Sequence, residues 1–326
     1  MGTAMSELSD FKNMPVLVTG AEGFIGSHLS TRLVKEGALV SALTCPGADL
    51  SRLLPLEGKI SLNPLDIRDY DRLKEFVLTS DPRRIFHLAA VTDVGRVWNS
   101  LPLVTDVNLG GTINLLRALS SIDYEIFITT CTAEAYGRNP APFKENMPLD
   151  PISPYSFSKA AATAFCRMAA ASLGVSVRIL RLFLVYGPGQ GEERFLPQLI
   201  RAALTGEPFQ MTAGEQTREY TYIDDVIDGF LLAAEKGQGK GEVYNLGSGR
   251  EISLNALVIK VGEIAGKKIK LENSVLPYRK NEIWRFLGDH HRAFDSLGWQ
   301  AETALDDGLA RTISWYKDKF APPALI

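Results

Sequence analysis

The chain has 326 residues, 45% of them hydrophobic and 22% charged, with a net charge of −3 at pH 7. Such a chain can bury one large core or two moderate ones, and its scattered Lys and Arg build no basic field for a polyanionic backbone, so nucleic acid is not an expected partner. No apolar run reaches the ~18 residues that span a bilayer, and the opening MGTAMSELSDFKNMP has acidic residues where a secretory signal has basic and then apolar ones. A cytoplasmic protein without a membrane partner is expected.

In chain order, apolar runs at residues 16–19, 39–44, 59–62, 84–88, 125–130 and 175–182 read as strands. Residues 24–36, 70–80, 104–120 and 155–173 carry helical periodicity. Strands alternating with helices predict an α/β fold with a doubly wound parallel sheet. The pattern loosens after about residue 182, at YGPGQGEERF. A first domain over 1–182 and a smaller α/β substrate domain over 183–326 are expected, with segments of the second returning to the first. Cys45, Cys131 and Cys166 are odd in number and lack CxxC spacing, so free thiols are expected. His290 and His291 are adjacent, and adjacent side chains diverge on a helix or a strand, so no metal is expected.

The first strand runs into TGAEGFIGSHL, with glycines at Gly20, Gly23 and Gly26. A GxxGxxG turn between a strand and a helix aims backbone N–H groups and the positive helix end above the sheet, and lets a pyrophosphate come close. A dinucleotide, NAD or NADP, is therefore predicted, held by Gly20, Gly23, Phe24, Ile25 and Gly26. The second strand ends at Thr44 and Cys45, without the carboxylate that binds adenosine ribose and repels a 2′-phosphate. Thr44 is the candidate there, Asp49 lies five residues on, and Arg52 could lean toward a phosphate; NADP stays open. Asp66 and Ile67 are candidates for the adenine edge. Leu88, Ala89 and Ala90, after the fourth strand, let the cofactor pass. His87 reads as a packed, hydrogen-bonded histidine.

PYSFSKAAATAFCRM spaces Tyr155 and Lys159 one helical turn apart on one face. A phenol with its usual pKa of ~10 is a poor base, but a nearby ammonium and the nicotinamide charge favour the phenolate and bring it toward ~7. Tyr155 is then the proton acceptor, with Lys159 beside it, both also at the nicotinamide end of the cofactor. Thr132, just past the fifth strand, would hold a sugar oxygen, with Thr129 and Thr130 the competing, more structural choices.

Taken together, TGAEGFIGSHL, HLAA, VNLGGTINLL, TTCTAEAYG, SPYSFSK, RLFLVYGPGQ, TREYTYIDDV, YNLGSG and GDHHRAFDSLGW resemble the extended short-chain dehydrogenase/reductase family of nucleotide-sugar epimerases, dehydratases and reductases. The resemblance implies a Rossmann-type first domain, a Thr132, Tyr155 and Lys159 triad, a nicotinamide dinucleotide and a nucleoside-diphosphate sugar as substrate. It also implies Arg218 and Arg279 as diphosphate ligands, and a homodimer formed by the helices at 104–120 and 155–173.

Two departures bear on the reaction. Where many 4,6-dehydratases of this family have Thr-Asp-Glu, the chain has Thr132, Ala133 and Glu134, and alanine delivers no proton; Glu134 reads either as an acid or base at C5 or as a strand-end carboxylate. Leu184 replaces the family's Asn in RLFNVYGPG, which removes a substrate hydrogen bond. A 4-epimerase and a 4-keto-6-deoxyhexose reductase stand level, a dehydratase or decarboxylase using Glu134 behind them, and a non-catalytic nucleotide-binding protein last.

Overall fold

The computed structural model describes residues 11–92, 97–272 and 276–320. The chain forms two compact units. One comprises the described residues up to Tyr136 with Pro148–Arg181 and Ile227–Tyr244; the other comprises Gly137–Met147, Leu182–Val226 and the described residues from Asn245 onward. Residues 137–147, placed by the sequence reading in the first domain, thus cluster with the second.

The first unit is built on a seven-stranded sheet. Its strands β1 (Pro15–Thr19), β2 (Leu39–Thr44), β3 (Ser61–Pro64), β4 (Arg84–His87), β5 (Ile126–Thr132) and β6 (Val177–Leu182) lie in the order β3-β2-β1-β4-β5-β6, with Glu242–Leu246 outermost beside β6. The pairings of β1 with β2 and β4, of β2 with β3 and of β4 with β5 are all parallel. Chain order reverses between β1 and β4, the switch point where such Rossmann-type sheets bind ligands beyond the carboxyl ends of their strands.

Helices α1 (Phe24–Lys35), α2 (Tyr70–Ser80), α3 (Leu101–Thr105), α4 (Gly111–Leu119) and α5 (Pro154–Leu173) belong to the same unit. Leu17, Ile85, Phe127 and Ile179 of the strands are buried with Leu115, Leu116 and Leu119 of α4 in one core cluster, each such side chain contributing ~1.5–3 kcal/mol of burial. The start of α5 is written in its sequence. Ser153 caps it in a reciprocal capping box with Ser156, Pro154 takes the first turn, and Gly174 ends it at φ 70°.

Two differences from the periodicity reading have a physical cause. The third strand begins at Ser61, two residues later than expected, and runs to Pro64. It is the edge strand, where a proline's missing N–H costs no ladder bond, so the residue that reads as a breaker sits inside the strand. The helix expected at 104–120 is instead α3, a π-helical turn at Asp106–Gly110, and α4. A Cβ at Gly111 would lie 2.6 Å from Ile67 Cγ2, so only glycine fits where the chain resumes the α-helix.

In the second unit Thr217–Tyr222 pairs with Leu184–Tyr186, Glu251–Ser253 and Arg285–Phe286 in a four-stranded sheet. Phe143, Phe183 and Phe286 form its aromatic cluster, with ring centroids 5.4–6.4 Å apart. Glu219 is buried there and accepts from the backbone N–H of Gly249 and Gly288; burial pushes its carboxyl up to about 7.

Candidate functional site

The glycine turn joins β1 to α1 at the switch point, and its three glycines answer different demands. Gly20 has φ +67°, and a Cβ there would lie 2.7 Å from Ala89 N, so both its conformation and the chain after β4 require glycine. A Cβ on Gly26 would come within 2.2 Å of the Gly20 carbonyl oxygen, so α1 packs on the turn only without one. Gly23, at the N-cap of α1, has φ −69°, and a Cβ there would meet the Gly20 oxygen alone, at 3.2 Å. The fold asks least of this third glycine, and a bulky ligand over the helix N-terminus asks most. The turn therefore fits a pyrophosphate. Phe24 and Ile25 follow it in the first turn of α1, half-buried, as are Leu88, Ala89 and Ala90 beyond β4.

Behind the turn runs a line of buried polar groups. Thr19, His87 and Thr129 stand opposite one another on β1, β4 and β5. Thr19 Oγ1 accepts the N–H groups of Leu88 (3.2 Å) and Ala89 (3.1 Å), and lies 2.8 Å from His87 Nδ1. On the other side His87 Nε2 is 2.9 Å from Thr112 Oγ1, which donates to the Asn108 carbonyl at 2.6 Å. Asn108 Nδ2 donates to Ser158 Oγ at 2.9 Å, and Ser158 Oγ donates to the Tyr155 carbonyl at 2.8 Å. The Asn108 amide also brackets Val91, accepting its N–H at 2.8 Å and donating to its carbonyl at 3.1 Å.

These donors and acceptors are consistent in one direction only. Thr112 has spent its proton on Asn108, so His87 donates from Nε2 and accepts at Nδ1 from Thr19. His87 is packed and hydrogen-bonded, as the sequence suggested, and it is neutral as well: burial, followed by the charge of Lys159, lowers it to about 3.

The same line reaches the predicted catalytic helix. Lys159 on α5 is 2% exposed and donates from Nζ to Thr130 Oγ1 at 3.1 Å. Burial holds this ammonium below its ordinary range. Tyr155, one turn earlier, is half-buried. Thr132 ends β5, and its Oγ1 accepts the Glu134 N–H at 3.2 Å, which leaves its own proton to give. Glu134 in turn takes a hydrogen bond from Ser153 Oγ at 3.1 Å, the residue that caps α5. Thr132 and Glu134 are thus linked through Ser153 to the start of the helix that carries Tyr155 and Lys159. Sequence reasoning missed Asn108, Ser153 and Ser158; the π-helical turn that displays Asn108 lies in the quoted VNLGGT, but its geometry is not visible as a period.

Other candidates sit less well. Thr44 is 1% exposed, so its hydroxyl lies in the core and does not face a phosphate as its strand-end position suggested. Asp49 takes hydrogen bonds from Ser51 N and Oγ, both at 2.9 Å, which hold its carboxyl below the usual range; Arg52 is half-buried in the Ser51–Leu56 turn. Asp66 is held by Arg68 through Nε (3.0 Å) and Nη2 (2.5 Å), and the Ile67 side chain is buried. In the second unit Arg218 is paired with Glu282 and donates to the Ile283 carbonyl at 2.8 Å, whereas Arg279 is exposed. Leu184 is exposed as well. The rings of His290 and His291 do not diverge: they stack with centroids 5.7 Å apart. Among the described residues no three His, Cys, Asp or Glu could hold a metal ion, all three cysteines are unpaired, and no helix is long and apolar enough to cross a membrane.

Residues 16–247 match the model of the NAD dependent epimerase/dehydratase family. The chain is 33% identical to a UDP-glucose 4-epimerase of Mycolicibacterium smegmatis, over 94% of this chain and 99% of that protein. It is 30% identical to the human dTDP-D-glucose 4,6-dehydratase, over 94% and 90% respectively. Among solved structures, a UDP-glucuronic acid 4-epimerase from Bacillus cereus, in complex with UDP-glucuronic acid and NAD, superposes with a TM-score of 0.86 at 29% identity, covering 94% of this chain and 99% of that one.

The polar line makes a prediction that needs no ligand. With His87 at about 3 in the folded chain and 6.5 as its ordinary value, only the unfolded chain binds this proton between those limits. Its contribution to stability is complete above pH 6.5 and falls as pH drops toward about 3, by up to ~1.4 kcal/mol per pH unit. His87→Gln should be less stable at pH 7 and lose stability less steeply between pH 6.5 and 4, as read from urea midpoints. Parallel profiles for the two proteins would contradict a neutral, buried His87.

Proposed function

Because the chain belongs to the NAD dependent epimerase/dehydratase family, we propose that it is a 4-epimerase of a nucleoside-diphosphate sugar, most simply a UDP-sugar, working through Thr132, Tyr155 and Lys159. The observation that supports the reading is that the helix carrying Tyr155 and Lys159 one turn apart is tied to β5, through the Lys159 bond to Thr130 and the Ser153 bond to Glu134, whose own N–H donates to the strand-end hydroxyl of Thr132. Relatives named as 4-epimerases support the choice among reactions.

NAD bound over the glycine turn would supply the acceptor and later the donor of a hydride. Thr132 donates its free proton to the C4 oxygen and orients it, while Tyr155 takes the proton of that hydroxyl as the bond to hydrogen breaks. Lys159, held in place by Thr130, sets a positive charge beside the phenol one helical turn away and favours its deprotonated form. Inversion would follow when the keto sugar turns over and the hydride returns to the opposite face of C4, with Tyr155 giving its proton back to the C4 oxygen.

Glu134 favours a second reading. Its carboxylate is tied to Ser153 at the start of α5, where it could serve C5 as a base, and the human relative is a 4,6-dehydratase. The 4-keto reductase remains the alternative that consumes reduced cofactor stoichiometrically. In the second unit, Arg218, paired with Glu282, and the exposed Arg279 are proposed to meet the diphosphate.

A homodimer through α4 and α5 belongs to the same proposal. Met168 and Leu173 on α5 are 45% and 68% exposed, whereas Phe165 packs against its own core. Light scattering at micromolar concentration should give twice the chain mass; a monomer would refute this part.

Tyr155→Phe should lower kcat by ~100-fold or more with little change in KM, since the proton acceptor is lost and binding is not. Glu134→Gln should cost the epimerase less than ~10-fold, whereas a base at C5 would lose ~100-fold or more. Steady-state kinetics with UDP-glucose and UDP-glucuronate read both. Near-normal turnover in Tyr155→Phe would end the assignment, and collapse in Glu134→Gln would transfer it to the dehydratase.

A further inference from the structure

No residue of β2 offers a carboxylate at its carboxyl end, but the glycine turn delivers one there. Glu22, immediately before Gly23, reaches to the tip of the strand, where its Oε1 accepts the backbone N–H of Cys45 at 2.9 Å. Cys45 is the first residue past β2. The other carboxylate oxygen, Oε2, is shielded from solvent and has no hydrogen-bond partner. A buried acceptor with no donor is costly, and one that borders a ligand cradle is satisfied when the ligand brings the donor.

We propose that Glu22 replaces the missing strand-end carboxylate, accepting the adenosine ribose hydroxyls of the cofactor and excluding a 2′-phosphate, so that the protein selects NAD over NADP. The inference rests on the glycine turn being a dinucleotide cradle. A ribose 2′-hydroxyl donates a proton to a carboxylate, whereas a 2′-phosphate has two negative charges and nothing to donate. The other charged groups near this strand tip do not reverse the sign. Asp66 adds a second carboxylate, and Arg68, the guanidinium whose charge reaches Cys45, is held in a two-nitrogen pair with it. Burial first, and then the charges of Glu22 and Asp66, push the Cys45 thiol above its ordinary range, which registers the same negative field. Where Thr44 and Arg52 left NADP open, a definite preference is thereby made by a residue from a different element.

Calorimetric titration of the full chain with NAD and with NADP tests this directly. The wild type should bind NAD at least ~10-fold more tightly than NADP. Glu22→Gln keeps an oxygen for the Cys45 N–H but removes the charge, and should bring the two affinities within ~3-fold, chiefly by strengthening NADP. Glu22→Asp, which keeps the charge, should retain the preference, and Glu22→Ala should lose it; this pair decides the matter if Glu22→Gln does not fold. Equal wild-type affinities, or a ratio that survives both Glu22→Gln and Glu22→Ala, would overturn the role of Glu22 alone. A wild type that binds neither dinucleotide would overturn the cradle itself.

Discussion

Thr19, His87, Thr112, Asn108 and Ser158 form one hydrogen-bonded line that ties the strand before the glycine turn to the helix bearing Tyr155 and Lys159. Every member is buried, so every member must find its partners inside the protein, and leaving one group unsatisfied costs ~1–3 kcal/mol. That demand admits one set of donor directions. It keeps His87 neutral with its proton on Nε2, opens a π-helical turn to aim Asn108, and anchors the first turn of α5 through the Tyr155 carbonyl. The proposed catalytic groups inherit their placement from this line. A phenol and an ammonium one turn apart are common on helices, whereas a helix fixed at its start to the switch point of a sheet is not a matter of spacing.

The glycine turn works by the opposite means, through what it lacks. Gly20 and Gly26 are required by backbone contact within the first unit, and Gly23 leaves room on the side where the helix N-terminus gathers N–H groups. Glu22, set between these constraints, is carried to the end of β2 by the turn's own geometry. Cradle and proposed ribose carboxylate thus come from one seven-residue segment, and the strand that usually supplies the second is free to end in a buried threonine.

Much of this was legible in the sequence because it was local. Strand and helix alternation predicts the parallel sheet, GAEGFIG predicts the turn, and the spacing of Tyr155 and Lys159 places both on one face of one helix. What periodicity does not carry is long-range pairing. Pro64 reads as a breaker because the pattern does not reveal that β3 is an edge. Asn108 is hidden inside a helical stretch because a π-helical turn changes the period by only one residue. Thr44 reads as a tip residue because strand register does not show which side chains the core takes, and Glu22 goes unnoticed because its target lies 23 residues on. The histidines of DHHR stack because His290 is the non-helical N-cap of the helix that His291 begins, a junction that a continuous helix or strand does not describe.

The most direct measurement of the central claim follows one hydrogen atom. A UDP-sugar substrate labelled with deuterium at C4, converted by the enzyme with NAD and resolved by NMR, should give the 4-epimer with deuterium still on C4 and no net reduced cofactor, because the hydride taken from C4 returns to C4. Deuterium at another carbon of a product that has lost water or carbon dioxide, or a product formed only with stoichiometric use of reduced cofactor, would contradict it.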